Sequence, residues 1–287
     1  MKVFLLTTFA LIAFAFNSIL CRLALGTKLI DASSFTAIRL LSGAVTLLII
    51  FSIFSKNKKE DLKRGNWLSA FFLFGYAICF SFAYIGLTTA TGALILFGLV
   101  QSTMIIVALV SGERPKIAEW LGLALALGGL IYLVFPGLAA PPLLNSILMA
   151  LAGVAWGFYT LRGRGSEDPL ADTAGNFVRT IPFIALACLP FLYQIDVSPK
   201  GLLFAVLSGA IASGIGYTVW YAALKHHTAT RAAILQLSVP VIAAIGGLIF
   251  LSEAISLRLI MASSLILGGI ALVIIGRKSI KSFQSEQ

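Results

Sequence analysis

Long apolar runs, separated by short polar or charged clusters, dominate the chain. Residues 65–112 and 120–161 each contain no charged side chain. One membrane crossing takes about 20 apolar residues, so each of these stretches is long enough to cross twice and must turn within itself. The pattern therefore predicts an all-α integral membrane protein.

Dividing the chain at its charges and at Gly, Pro and Asn clusters predicts ten transmembrane helices. The predicted ranges are 3–21, 32–55, 66–86, 91–110, 117–135, 145–161, 171–193, 201–223, 230–250 and 258–276. The first run resembles a secretory signal, but Leu20 stands where a small residue would precede cleavage at Cys21. We therefore expect the first run to be a membrane helix.

The composition fits a protein surrounded by lipid. Hydrophobic residues make up 59% of the chain and charged residues 11%, whereas a soluble domain carries roughly 25% charged residues. The net charge of +10 would normally suggest nucleic acid, but the basic residues lie in short loops, where they are attracted to the cytoplasmic membrane surface. The expected partner is the lipid bilayer, with no nucleic acid.

The distribution of basic residues predicts the orientation. Loops on one side of the predicted helices carry 15 Lys and Arg residues, and the opposite loops carry four: Arg22, Lys28, Lys200 and Arg258. Basic loops stay in the cytoplasm. Both termini are therefore predicted to be cytoplasmic in a multi-pass protein of the inner (plasma) membrane.

An internal repeat appears when the sequence is shifted by about 140 residues. It predicts two units of five helices each, residues 1–140 and residues 141–287, the second ending in a short cytoplasmic tail. Because five is odd, the two units must be inverted relative to each other. The paired positions are Arg39 with Arg179, Gly112-Glu113 with Ser252-Glu253, Gly128-Gly129 with Gly268-Gly269 and, after a three-residue slip, Tyr84 with Tyr221.

The two halves resemble the two EamA repeats of the drug/metabolite transporter superfamily over nearly the whole chain. The resemblance implies a ten-helix carrier or exporter of small metabolites. The first half has Phe16-Asn17 where Trp-Gly is common, and Val100 where a Pro is expected, so strict symmetry of the two gates is not expected. The residues that carry the resemblance are Phe82-Ala83-Tyr84, Gly112-Glu113, Leu127-Gly128-Gly129, Trp156-Gly157, Trp220-Tyr221-Ala222-Ala223-Leu224, Pro240, Ser252-Glu253 and Leu267-Gly268-Gly269.

Arg39 and Arg179 are the ionised groups that lie well inside predicted spans. A charge at this depth costs at least a few kcal/mol, about 2.5–3.5 on insertion scales, so a functional partner is the default hypothesis. Either arginine could bind a carboxylate or phosphate of the substrate. The alternative is a structural arginine that bonds carbonyl groups or reaches the membrane surface.

Aromatic and amide side chains within the spans supply the other candidates. Trp156 and Tyr159 share one face of a helix, and Tyr217, Trp220 and Tyr221 do much the same in another. Packing, interface anchoring and interhelical hydrogen bonds are the alternatives for these residues. The candidate substrate-binding set is Asn17, Arg39, Tyr84, Gln101, Trp156, Tyr159, Arg179, Trp220, Tyr221 and Gln236; no catalytic residue, metal site or cofactor is predicted.

These features predict a secondary transporter, and not an enzyme, that moves an amino acid or related metabolite, in the direction of export, by alternating access. The chain has no phosphate loop for ATP and no HExxH or GxSxG motif. A membrane-embedded enzyme acting on lipid or lipid-linked sugar and a passive solute channel remain the alternatives. The expected partner is a small-molecule substrate, and a homodimer is left open.

Overall fold

The computed structural model describes residues 2–54, 64–110, 117–135, 137, 140–163, 166–224, 226 and 235–284. In these residues, ten helical elements form an all-α bundle, as the sequence predicts. They are α1 (Lys2–Gly26), α2 (Ala32–Phe54), α3 (Trp67–Tyr84), α4 (Thr89–Val110), α5 (Ile117–Val134), α6 (Leu143–Gly163), α7 (Pro169–Arg179 and Ile181–Cys188), α8 (Pro199–Leu207, Ser208–Ile215 and Gly216–Leu224), α9 (Ser238–Leu251) and α10 (Leu257–Gln284).

The helices are apolar enough for a multi-pass membrane protein. In the described part of the chain, six of them, namely α1, α2, α3, α4, α6 and α8, are long and apolar enough to cross a membrane. Shorter apolar helical stretches lie at Trp120–Val134, Ser238–Leu251 and Leu257–Val273. Neither half of α7 reaches that length alone.

Prolines divide α7, which the sequence predicts as one helix over 171–193. The first half ends at Arg179 and the second begins at Ile181, with Pro182 in its first turn. Pro190 then stands near the start of a 3₁₀ turn, Leu189–Gln194. Proline lacks the N–H that a continuous helix needs, so the α-helix is interrupted at both positions.

The first helix runs to Gly26, beyond its predicted end at residue 21. The sequence assigns Arg22 to a loop because it is charged. The structure keeps Arg22 in the helix, and its guanidinium Nη1 donates to the carbonyl oxygens of Tyr84 and Ile85, both at 3.0 Å. A charged side chain with these partners need not end the helix.

Hydrogen bonds among helix ends and loops define two ends of the bundle. At one end, which we call the Glu253 end, Arg22 near the end of α1 donates to Glu253 and to the Tyr84 carbonyl at the end of α3, and Asn145 at the start of α6 donates to the Phe82 carbonyl in the last turn of α3. At the other, which we call the Arg162 end, Arg162 at the end of α6 donates to Ser69 in the first turn of α3. Because α1 finishes at the Glu253 end and α6 begins there, the two halves are inverted, as predicted. The anchor Gly112-Glu113 lies outside the described residues.

Glycines set the closest approach between α5 and α10. A Cβ added at Gly122 would lie 2.5 Å from the Gly269 carbonyl oxygen. The small pair Ala124 and Gly128, which the sequence suggests as a contact, does not bring helices together. Ala124 is exposed and a Cβ at Gly128 would meet nothing within 4 Å. These two residues therefore lie outside the buried face of α5.

A network around Asp31 joins the two halves at the Glu253 end. The Asp31 N–H donates to the Asp196 carbonyl at 2.9 Å, and the Asp196 N–H donates to Asp31 Oδ2 at 3.2 Å. Partial desolvation opposes ionisation, but hydrogen bonds from Ser33, Ser34 and Asp196 outweigh it and lower the pKa of Asp31. The stability that this carboxylate contributes is therefore present above its unfolded pKa and is lost as pH falls through the lowered value.

Candidate functional site

Buried polar side chains from α1, α2, α3 and α8 meet in the middle of the bundle. Asn17 donates from Nδ2 to the Tyr76 hydroxyl at 3.2 Å and accepts from the Ser208 hydroxyl at 2.6 Å. Arg39 donates from Nη2 to the Tyr76 hydroxyl at 2.9 Å and from Nε to the Ser213 hydroxyl at 3.4 Å. We call these five residues the central polar cluster.

Arg39 is the charged member of this cluster, and only 1% of the residue is exposed to solvent. Its guanidinium carbon lies 5.0 Å from the ring centre of Tyr76 and 4.9 Å from that of Phe80. Nη1 is buried and has no hydrogen-bond partner among the described residues, nor does any described acidic side chain pair with Arg39. A buried cation without a counter-ion is costly, and an anion that reached Nη1 would offset that cost.

The local structure of α8 holds the serines of the cluster in place. Ser208 and Ser213 lie in the π-helical segment Ser208–Ile215, which begins directly after the α-helical Pro199–Leu207. Such segments are rare and frequently occur at functional sites. Next to Ser208, a Cβ added at Gly209 would lie 2.1 Å from the Arg39 carbonyl oxygen. The backbones of α2 and α8 therefore touch at the level of Arg39.

Aromatic rings cover the cluster on the side of the Arg162 end. Trp156 lies 4.7 Å from Tyr76, 4.8 Å from Tyr217 and 5.4 Å from Tyr159 between ring centres. The central chamber that these rings enclose has a volume of about 10 Å³, close to the least that holds one water molecule. A solute could enter only if the rings moved apart. The chamber is lined by Phe14, Asn17, Ser18, Tyr76, Phe80, Leu96, Phe97, Trp156 and Tyr217.

A larger cavity of about 180 Å³, which we call the vestibule, lies at the Arg162 end. Arg162 lines it and donates to the Ser69 hydroxyl and to Asn66 Oδ1, both at 3.0 Å. Tyr159 and Tyr221 lie about one helical turn from the chamber residues Trp156 and Tyr217. One aromatic layer thus separates the vestibule from the central chamber. The vestibule is lined by Gly65, Asn66, Ser69, Tyr159, Arg162, Gly163, Ser166, Pro169, Asp172, Thr173, Asn176 and Tyr221.

Five of the predicted site residues line or border this path. Asn17 and Trp156 line the chamber, and Tyr159 and Tyr221 line the vestibule. Trp220 is buried against Phe14, with 5.7 Å between ring centres. With Arg39, which donates to the chamber residue Tyr76, six of the ten predicted residues lie in or beside these two cavities, and their contact with a substrate stays a prediction.

The structure places Tyr84 and Arg179 elsewhere. The Tyr84 hydroxyl donates to the Thr89 carbonyl at 3.3 Å, at the junction of α3 and α4. Arg179 Nη1 donates to the carbonyl oxygens of Arg64 at 2.6 Å and Gly175 at 3.0 Å. These are the partners of an arginine that holds backbone together, so the repeat-related Arg39 and Arg179 occupy different environments.

Gln101 and Gln236 form a separate buried pair between α4 and the turn before α9. Gln101 Nε2 donates to Gln236 Oε1 at 3.2 Å, and the two residues are 3% and 5% exposed.

We expect Gln101→Leu to destabilise the protein by about 1–3 kcal/mol, because it leaves a buried amide unpaired. The double variant Gln101→Leu/Gln236→Leu should recover much of that loss. Thermal unfolding in detergent measures both, and a double variant as unstable as the sum of the singles would contradict a direct pair.

Comparison with known proteins agrees with this architecture. The model of the EamA-like transporter family matches the chain twice, over residues 1–135 and 143–275. The chain belongs to the EamA-like transporter family. It is accordingly a membrane transporter, and the resemblance seen in its sequence is confirmed.

Two relatives and one solved structure show how far the likeness extends. An uncharacterised protein of Pseudomonas aeruginosa is 50% identical and covers 96% of each chain. The threonine/homoserine exporter RhtA of Escherichia coli is 27% identical over 88% of this chain and 85% of its own. A crystal structure of a protein that is 20% identical superposes with a TM-score of 0.65, covering 93% of this chain and 97% of that one, which shows a shared fold.

Sequence reasoning missed several residues of this EamA-like protein's centre. Tyr76 bonds both Asn17 and Arg39, and a hydroxyl in the middle of an apolar span was a usable signal, since it needs a partner there. Phe14 gave no such signal because phenylalanine is common in apolar helices. Ser208 and Ser213 lie in the π-helical segment, which the sequence pattern does not indicate.

Proposed function

We propose that the protein is a secondary transporter that exports an amino acid or a related small carboxylate by alternating access. The observation that carries this proposal is the buried Arg39, whose Nη1 has no hydrogen-bond partner among the described residues. A guanidinium binds a carboxylate through paired, charge-assisted hydrogen bonds. Tyr76 and Asn17, which already bond to each other, would position polar groups of the same solute.

Cavities lie at both ends of the bundle: the vestibule at the Arg162 end and a second cavity of about 280 Å³ at the Glu253 end, whose lining includes Lys28, Asp31 and Asp196. The vestibule of about 180 Å³ reaches inward from the Arg162 end, and the aromatic layer separates it from the chamber. By the distribution of basic residues, the Arg162 end is the predicted cytoplasmic one. A solute taken up there and released at the Glu253 end would be exported. This direction assumes that the protein lies in the inner (plasma) membrane with both termini in the cytoplasm.

The family relatives support the same substrate class. RhtA is named for the export of threonine and homoserine, and both compounds carry a carboxylate. The described acidic residues lie at helix ends and in loops, so proton transfer through a mid-membrane carboxylate is not part of the proposal. The protein would act as a carrier in the bilayer, alone or as a homodimer, with the energy coming from a solute or ion gradient.

Transport by the purified protein in liposomes tests this function. We would screen radiolabelled amino acids, purine-type metabolites and sugars, each with and without a pH gradient. The expected result is saturable flux of at least one carboxylated solute. Flux that rises linearly with concentration would indicate a channel, and an absence of flux for every solute would remove the carrier proposal.

A further inference from the structure

Arg22 ties three helices together at the Glu253 end. Its Nε donates to Glu253 Oε1 at 3.2 Å, beyond the end of α9, and its Nη1 donates to the carbonyl oxygens of Tyr84 and Ile85 at the end of α3. A Cβ added at Gly26 would lie 2.7 Å from this guanidinium. The glycine one turn further along α1 therefore gives Arg22 room to lie across the end of the helix.

Glu253 continues the same network to α4. Its Oε2 accepts from the Thr89 N–H at 2.8 Å, at the helix N-terminus, where the helix dipole favours a negative charge. Ser252 adopts a left-handed conformation with φ of 52°, which turns the chain so that Glu253 folds back over α9. A Cβ at Gly247 would lie 2.5 Å from Oε2, so this carboxylate also lies over a glycine.

This ion pair crosses between the two inverted halves. Arg22 and Thr89 belong to the first half and Glu253 to the second, and the two charged side chains are 20% and 12% exposed. The other ion pair in the described part of the chain, Arg64–Glu167, is 3.9 Å long and its glutamate is 90% exposed. The Arg22–Glu253 pair is therefore the shielded one, yet each partner still reaches water that can replace it.

The repeat places a second arginine in the corresponding position of the other half. A shift of 140 residues superimposes Arg22 on Arg162. Arg162 donates to Ser69 and Asn66 and lines the open vestibule, whereas Arg22 forms an ion pair with Glu253. The same repeat position is thus in the closed network at one end and in an open cavity at the other.

We infer that the Arg22–Glu253 pair is the gate that closes the Glu253 end, and that it must break each time this end opens. The inference rests on the proposed alternating access. Opening separates α1 from the end of α3 and from the α9–α10 connection. The chamber residues on α1 and α3 then become accessible from that side.

The chain carries its own reporter for this opening. Cys21 precedes Arg22 in α1 and is 0% exposed, so a water-soluble thiol reagent reaches it only when α1 separates from its neighbours. In protein with Cys79→Ser and Cys188→Ser, a membrane-impermeant maleimide would be added to liposomes and the labelling rate of Cys21 measured. We expect Glu253→Gln to increase this rate about tenfold, a change equivalent to about 1.4 kcal/mol in the opening equilibrium.

Gly26→Ala provides a second variant that keeps both charges and displaces the Arg22 guanidinium, and it should also speed labelling. Arg258→Gln is the matched control, because Arg258 lies at the same end and donates to the Phe135 carbonyl away from the ion pair. Its labelling rate should equal that of the parent. If Glu253→Gln does not fold, Gly26→Ala decides by the same criterion.

The proposed gate would be contradicted if folded Glu253→Gln and Gly26→Ala were labelled at Cys21 at the parent rate. It would also be contradicted if Arg258→Gln increased the labelling rate by as much as they do. Labelling needs no substrate, so the gate and the proposed function fail separately. Saturable flux with unchanged labelling removes the gate alone. Faster labelling without saturable flux of any solute removes the proposed function and leaves an opening controlled by this ion pair.

Discussion

Replacing Arg39 by Gln is expected to lower the kcat/KM for a carboxylated solute about 10- to 100-fold, because hydrogen bonds to charged groups contribute about 1.5–3 kcal/mol. Gln keeps part of the side chain's length and polarity but removes the charge and the buried Nη1, which has no hydrogen-bond partner among the described residues. Initial rates in proteoliposomes over a range of solute concentrations measure the effect. The unfolding temperature is followed in parallel, since Arg39 also bonds Tyr76 and Ser213.

Arg179→Gln is the informative comparison for this variant. Arg179 is the repeat-related arginine, but its Nη1 bonds the backbone carbonyls of Arg64 and Gly175. We expect its loss to reduce stability while leaving solute affinity unchanged. If both variants fold and bind solute as the parent protein does, Arg39 is not the anion site. Equal losses of affinity in both would show that position in the repeat, rather than the local partners seen here, decides the role.

Gly209→Ala is expected to destabilise the protein by about 1–3 kcal/mol, the usual effect of overpacking. The new Cβ would lie 2.0 Å from Ser42 Oγ and 2.1 Å from the Arg39 carbonyl oxygen. One of these contacts is with backbone, so α2 and α8 must separate. Transport should fall as well, since the separation displaces Arg39 from Ser213. Thermal unfolding in detergent and transport in liposomes provide the two measurements.

Gly128→Ala is the matched control, because it makes the same substitution within a membrane helix but at an exposed glycine. A Cβ at Gly128 meets nothing within 4 Å, and alanine is the better helix former by about 0.5–1 kcal/mol. The control should therefore be as stable as the parent or slightly more so. A Gly209→Ala protein that matched it in both stability and transport would contradict the direct contact between α2 and α8.

Sequence alone was sufficient for the architecture because its signals are strong and repeated. Charge-free runs predict the crossings, and the shift that superimposes Arg39 on Arg179 predicts two inverted halves. The break in α7 was harder to place. Pro182 and Pro190 indicate bends, but whether a proline kinks a helix or ends it depends on the neighbours that pair with the freed carbonyl groups.

The candidate site was only partly predictable for a different reason. Asn17 and Arg39 stand out as polar residues in apolar surroundings, and the structure brings both into the central polar cluster. Sequence treats Arg39 and Arg179 as equivalents, because a repeat matches positions and not partners. The difference arises from what each guanidinium meets in three dimensions, the Tyr76 hydroxyl for one and the Arg64 carbonyl for the other.

Counterflow in liposomes tests most directly the claim that a solute's carboxylate is carried past Arg39. Liposomes would be loaded with an unlabelled amino acid that the protein transports, and uptake of the labelled compound followed in the presence of external competitor. We expect transient accumulation of the labelled compound that the free amino acid suppresses and its carboxamide analogue does not, with the effect lost in Arg39→Gln. Equal suppression by the acid and its amide, or undiminished counterflow in Arg39→Gln, would contradict it.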